Sequence, residues 1–393
     1  HLQARKDGLQ TIMLDLSGTH TVTGITQNNQ AVGFSHPGDT LLVSLPQALD
    51  SGEYTALDIR YEGHPPTQGL GSFDNGYHNG SPVLWTLSEP YGARDWFPCK
   101  QWLRDKVDSL DVHITHPEEY RAASNGVLVS ETTQDGQTTT HWKHRHPIAT
   151  YLIAIAVARY ERYSDYLPLE DGDTIEILNY VYPDWLEDAK EQTPAILPVM
   201  ELYNELFMKY PFTDEKYGHA QFGWGGGMEH QTMSFMANFS HHLMAHELAH
   251  QWFGNYITCG SWEEIWLNEG FAVYLTGLTY EHMPGQEYWR PFLRNTRASV
   301  ISQPGGSVIV DDTTDVWRVF DSRLTYNKAG FFLHTLRWEL GDSAFFAAIR
   351  NYLHDPKLAN GYAHTADIRK HFEATSGRDL EAYFHDWLYG EGY

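Results

Sequence analysis

His246-Glu247-Leu248-Ala249-His250 is the stretch on which the reading of this chain turns. Two histidines four positions apart lie on one helix face, about one turn apart, so their imidazoles can converge on one cation. Glu247 directly follows the first histidine, where its carboxylate can reach a water beside the cation without ligating the metal. The chain has 22 histidines, and His242 also stands four positions before His246. No acidic residue follows His242 directly, so a surface or supporting place suits it better. Nineteen positions after His250, Leu267-Asn268-Glu269-Gly270-Phe271-Ala272 supplies a second carboxylate, Glu269. A helix, a short turn and an antiparallel helix bring Glu269 back beside the histidines. Two histidines and one glutamate leave a fourth position open, which is the catalytic rather than the structural form of a zinc site. His246, His250 and Glu269 are therefore the predicted ligands of one zinc ion, with Glu247 as the predicted base.

Outward from this pair, residues 239–253 and 262–282 are predicted as helices. Gly254 ends the first, and Ser261 with Glu264 forms a capping box at the start of the second. A Gly-rich strand is expected over residues 221–235. Within it lies Gly225-Gly226-Gly227-Met228-Glu229-His230, whose glycines allow close backbone approach and whose edge can pair with an extended peptide. A helix over 185–210 ends at Pro211, and further helices are expected at 326–340, 343–353, 365–376 and 380–388. The first ~160 residues read as β-structure from alternating segments and turn signals. Residues 11–16, 41–45, 107–115 and 126–130 are predicted strands, and the apolar run 151–157 a buried one. Asn28-Asn29, Pro37-Gly38, Ser51-Gly52 and Asp135-Gly136 are turn pairs.

At 393 residues the chain is long enough for two or three domains. The formal charge of -24 excludes the basic face that nucleic acid requires. A solvated acidic surface is the plain reading, and it can attract a cation such as a free peptide N-terminus. No stretch of eighteen apolar residues occurs, so no membrane span is expected. Two cysteines, Cys99 and Cys259, make neither a disulfide scaffold nor a Cys-rich zinc site. The chain starts at His1 without a signal-peptide pattern, which suggests a fragment or a processed form. With the acidic surface, this favours a periplasmic or secreted location; a monomer is expected, with the oligomeric state left open by the sequence.

The zinc pattern with its upstream Gly-Gly-Met-Glu-His resembles the aminopeptidase N family of gluzincin metallopeptidases. Gly226 to Glu229 match the family's G-x-M-E segment, although His230 stands where the family has Asn. Ala93-Arg94-Asp95-Trp96-Phe97-Pro98-Cys99 is similar to a segment of the family's first domain. Tyr326-Asn327-Lys328-Ala329-Gly330 is similar to the segment with its catalytic tyrosine, and Trp387-Leu388-Tyr389-Gly390 to the end of its catalytic domain. The resemblance implies an α+β protein: a mostly antiparallel β-sheet domain (residues 1–165), then a thermolysin-like zinc catalytic domain (166–393). The family's C-terminal helical domain is expected to be absent and the start of the first domain truncated.

The resemblance also implies roles. Glu229 binds the α-ammonium of a peptide, helped by Glu89. Gly226, Gly227 and Met228 line the substrate backbone, and Tyr326 donates to the oxyanion. The expected activity is removal of single N-terminal residues from peptides with a free amine. His230 is expected to alter the hydrogen bonding that orients Glu229. Three rivals stay open: an endopeptidase on the same zinc helices, a non-catalytic peptide-binding relative, and an epoxide hydrolase on the same centre. Glu229 and Glu89 argue against the first, and the complete ligand and base set against the second.

Overall fold

The computed structural model describes residues 1–67, 69–283 and 286–392. The N-terminal part is antiparallel β-structure. Leu9–Asp15 pairs with Thr40–Leu49, and His20–Gln27 pairs with Leu57–Gly63. Their inward residues, among them Ile12, Leu14, Leu41 and Val43, form a small core of their own. Asn28-Asn29 and Asp135-Gly136 hold positive φ at both positions, as two-residue hairpin turns with the strand twist require.

Ser81–Leu87 and Ile155–Ala158 form a second layer, paired through Leu84 with Val157. Their buried side chains Val83, Trp85, Ala156 and Ala158 belong to the same continuous core as the helical half. Residues 151–157 are therefore not one strand: Thr150–Leu152 is a 3₁₀ turn and the strand begins only at Ile155. Burial on all sides, rather than strand pairing, explains the apolar run.

A five-stranded mixed sheet follows. Its strands are β1 (Glu161–Pro168), β2 (Thr174–Val181), β3 (Tyr217–Gln221), β4 (Gly227–Met228) and β5 (Ser234–Met236), in the order β1-β2-β3-β5-β4. The expected division after residue 165 falls inside β1, which pairs with β2 from Glu161↔Val181 to Pro168↔Thr174. The change of sheet lies just before Glu161. The single strand expected over 221–235 is three short ones, because the glycine run loops out between β3 and β4. Likewise the helix expected over 185–210 is broken at Pro194 into Leu186–Gln192 and Ile196–Leu206, joined by a 3₁₀ turn.

Helix α1 (His241–Ala249) packs on this sheet, α2 (Trp266–His282) packs on α1, and α3 (Trp289–Val300) and α4 (Ala329–Leu340) pack on α2. No helix among the described residues is long and apolar enough to cross a membrane. Ser261 caps the turn before α2 by accepting from the Glu263 amide. The reciprocal half of the capping box is not made. Glu264 instead accepts from the Thr365 amide at 2.8 Å and pairs with His364, tying α2 to the helix Thr365–Ser376.

His219 on β3 is fully buried, with Nδ1 2.8 Å from Asn179 Oδ1. Burial pushes its pKa down to about 3. An unfolded histidine titrates near 6.5, so below that pH the unfolded chain takes a proton that the folded one refuses. Stability is lost as pH falls, by about 2 kcal/mol between pH 6.5 and 5 from this group. The variant His219→Gln is expected to lose that much less stability than the parent between pH 7.5 and 5 in denaturant titrations. Identical pH slopes for the two proteins would refute this account.

Candidate metal centre and peptide cleft

Ser240 precedes α1 in extended conformation, and the helix carries His246 and Glu247 inward. The helix ends at Ala249, and His250 occupies the turn that Gly254 reverses with φ +129°. His250 Nδ1 donates to the Phe253 carbonyl at 3.0 Å, which orients the ring and leaves Nε2 as the free lone pair. From α2, Glu269 Oε2 lies 3.2 Å from His246 Nε2 and 3.4 Å from His250 Nε2. The two Nε2 atoms are 3.2 Å apart. Ligands at 2.0–2.1 Å from a tetrahedral ion are spaced about 3.3 Å from one another. Three donor atoms at these separations fit zinc, and their chemistry is the two-imidazole, one-carboxylate set with a fourth direction open.

Neighbouring residues hold this geometry. Asn268 Oδ1 accepts from the Cys259 amide, fixing the turn ahead of α2. At Gly270 a Cβ would come within 2.6 Å of Ala329 Cβ, so glycine lets the start of α4 pack directly on α2. Tyr326 lies in a π-helical turn, Ser322–Lys328, that leads into α4, not in the α-helix expected from 326. Asp321 caps this turn by accepting from the Arg323 and Leu324 amides. The Tyr326 ring stacks on His246 with centroids 6.1 Å apart. Burial, then Glu269, Glu89 and Glu229, hold its phenol protonated, with the pKa well above the ordinary tyrosine value.

Beside the ligands stand three further carboxyl groups. Glu247 is buried and sits against the backbone of β4: a Cβ on Gly227 would fall 2.2 Å from Glu247 Oε1. Only glycine permits that approach. Glu229 follows β4, and its carbonyl accepts from Asn255 Nδ2 at 2.7 Å and Gln251 Nε2 at 3.3 Å. Glu89 reaches the same place from the loop after Ser81–Leu87. Oε1 of Glu89 and Oε1 of Glu229 are buried without a hydrogen-bond partner among the described residues. Carboxylate oxygens of Glu89, Glu229 and Glu269 lie within 4.8 Å of one another.

Burial and this crowding raise the Glu89 pKa well above the carboxylate range, and burial brings Glu229 up to about 7. Glu269 goes the other way, to about 2, because His250 and His246 outweigh its burial. The arrangement asks for cations. Four carboxyl groups, Glu89, Glu229, Glu247 and Glu269, line one cavity of about 200 Å³ together with Gly227, Met228 and Tyr326.

The structure thus gathers His246, His250, Glu269, Glu247, Glu229, Glu89, Gly227, Met228 and Tyr326 around that cavity. Gly226 serves it indirectly: a Cβ there would meet the Trp224 ring at 2.4 Å. His242 is apart from the ligand set, 3.4 Å from the Tyr280 hydroxyl. His230 makes no hydrogen bond to Glu229. It is fully buried edge-on to Phe235, and neither ring nitrogen has a partner among the described residues. The Glu229 backbone is held by Gln251 and Asn255 instead. Sequence reasoning did not identify those two, nor the apolar wall of Leu70, Leu87, Trp224, Trp317 and Phe320. Gln251 and Asn255 follow the zinc motif closely enough to be suspected, whereas the wall comes from segments far apart in the chain and leaves no local pattern.

Residues 7–152 match the peptidase M1 N-terminal domain and residues 228–387 the peptidase family M1 domain. A leucyl aminopeptidase of Saccharolobus solfataricus is 24% identical over 98% of this chain and 50% of its own length. An aminopeptidase A of Gloydius brevicauda is 26% identical over 91% of this chain and 39% of its own length. The chain thus spans half or less of each of these two relatives. The crystal structure of an M1 zinc metallopeptidase from Deinococcus radiodurans superposes with a TM-score of 0.83 at 25% identity, covering 99% of this chain and 88% of that one. With both matches in family order on a β-rich part followed by a mixed α/β part carrying the zinc helices, this chain belongs to peptidase family M1.

Proposed function

We propose that this chain is a zinc-dependent aminopeptidase that removes single residues from peptides with a free N-terminus. The observation that carries the reading is the pair Glu89 and Glu229, buried and each with an oxygen that has no partner among the described residues, next to His246, His250 and Glu269, which could hold a zinc ion. The ion answers part of the negative charge in the cleft, and an ammonium group answers more of it. A cationic amine held there sits one residue from the zinc ligands, which limits cleavage to the first peptide bond.

One zinc ion held by His246, His250 and Glu269 supplies Lewis-acid polarisation of the scissile carbonyl and acidification of water. Glu247, beside the first ligand, takes the attacking water's proton and passes it to the leaving amine. Tyr326, kept protonated, donates a hydrogen bond to the oxyanion developing on the substrate. β4 is the last strand in its sheet, and Gly227 and Met228 offer their backbone to an extended peptide. The same proposal divides the chain into a β part that contributes Glu89 and a catalytic part that begins near Glu161.

A panel of aminoacyl 4-nitroanilides, each with and without an N-acetyl group, tests this reading. Cleavage of the free-amine set alone is expected, lost with a chelator and restored by zinc. Equal cleavage of both sets would point to an endopeptidase and remove the amine role of Glu89 and Glu229.

A further inference from the structure

Glu229 is followed at once by a buried turn. The Met233 amide donates to the His230 carbonyl at 3.0 Å, and Gln231 and Thr232 between them are fully buried. Thr232 stands at φ +65°, third in the turn, where positive φ ordinarily calls for glycine. A β-branched residue there is a backbone outlier, and such a conformation persists only where its surroundings over-determine it. Those surroundings are polar and specific. Gln251 spans the turn: its Nε2 donates to the Glu229 carbonyl at 3.3 Å, and its Oε1 accepts from the Thr232 amide at 2.9 Å. Lys216 Nζ donates to the Thr232 carbonyl at 2.8 Å and stands 3.4 Å from the hydroxyl oxygen.

The other holds come from the β part, within the residues that match the M1 N-terminal domain. Asn125 Nδ2 donates to the Gln231 carbonyl at 2.7 Å. Gln231 Nε2 donates to the Pro147 carbonyl at 3.1 Å and to His144 Nε2 at 2.9 Å. The Gly126 amide donates to Thr232 Oγ1 at 2.8 Å. Glycine at position 232 would make the turn without strain but would leave that buried amide unanswered. The threonine hydroxyl therefore supplies what glycine lacks, a link from the β part to the turn three residues past Glu229.

We propose that Thr232 is a positioning residue for the substrate amine: its hydroxyl, held by the Gly126 amide, fixes the turn that aims Glu229. This role rests on the aminopeptidase reading and deepens it. The test measures, by titration calorimetry on zinc-loaded protein, the binding of L-phenylalanine hydroxamate and of hydrocinnamoyl hydroxamate, which differ only in the α-amine. The parent is expected to prefer the amine compound by on the order of 10²-fold. Thr232→Gly and Thr232→Val, which lack the hydroxyl, are expected to lower that preference by about tenfold while binding the des-amino compound as before. Valine keeps the branched shape, so it decides the matter if the glycine variant does not fold. Thr232→Ser, which keeps the hydroxyl, is expected to keep the preference. If either hydroxyl-free variant keeps it, or Thr232→Ser loses it as well, the hydroxyl does not position Glu229. A parallel weakening of both compounds would assign Thr232 to the fold alone and overturn the role too. If the zinc-loaded parent shows no preference at all, the aminopeptidase reading itself falls, and this role falls with it.

Discussion

Replacing Glu247 by Gln lowers kcat on free-amine substrates by on the order of 10³-fold, with zinc content unchanged. The isosteric amide keeps the packing against Gly227, where no larger backbone neighbour fits. What it loses is the ability to accept a proton from water, and 10³-fold corresponds to about 4 kcal/mol of barrier. Glu247 lies in a crowd of carboxyl groups: burial, then Glu229 and Glu269, push its pKa well above the usual range, with only His250 opposing. Removing its charge relieves that crowding, so the melting temperature of the variant should not fall. Activity, metal content and melting measured on one preparation separate the cases. Near-normal turnover with zinc bound would dismiss Glu247 as the base, and loss of zinc would make it a ligand instead.

A second large effect belongs to the amine site. Glu229→Gln is expected to cost on the order of 10²- to 10³-fold in kcat/KM on free-amine substrates, the scale of losing one partner of a buried charge pair. Acetylating the substrate amine should cost the parent enzyme at least as much, since it leaves Glu89 and Glu229 without their cation. The two changes remove the same interaction, so they should not add. In Glu229→Gln the acetyl group should matter much less, and in the Glu89→Gln/Glu229→Gln double variant hardly at all. Fully additive losses across this cycle would mean that Glu229 acts elsewhere than on the amine.

Much of the metal centre was legible in the chain because it rests on short-range geometry. The helical period alone puts His246 and His250 on one face and Glu247 beside them. Gly254 and the turn ahead of Trp266 return a second helix at the spacing that Glu269 needs. The turn pairs Asn28-Asn29 and Asp135-Gly136 follow from backbone preference in the same way, since few residues accept positive φ at little cost.

Other features were decided only by contacts between distant segments. Glu264 carries a capping signature, yet its carboxylate goes to the amide of Thr365, about a hundred residues on, because that partner is brought beside it by packing. The apolar run at 151–157 carries the composition of a strand, but half of it fills core space without pairing. The wider helical turn at Tyr326, the loop that sets Glu89 near Glu229, and the Gln251 and Asn255 bonds to Glu229 all depend on which elements meet. The sequence by itself determined that His246, Glu247, His250 and Glu269 share one site, and the β-then-α order, because period and turn chemistry act within a few residues. The tertiary structure alone decided where Glu89, Glu229 and the apolar wall of the cavity lie, because burial and long-range hydrogen bonds join residues that no local pattern connects.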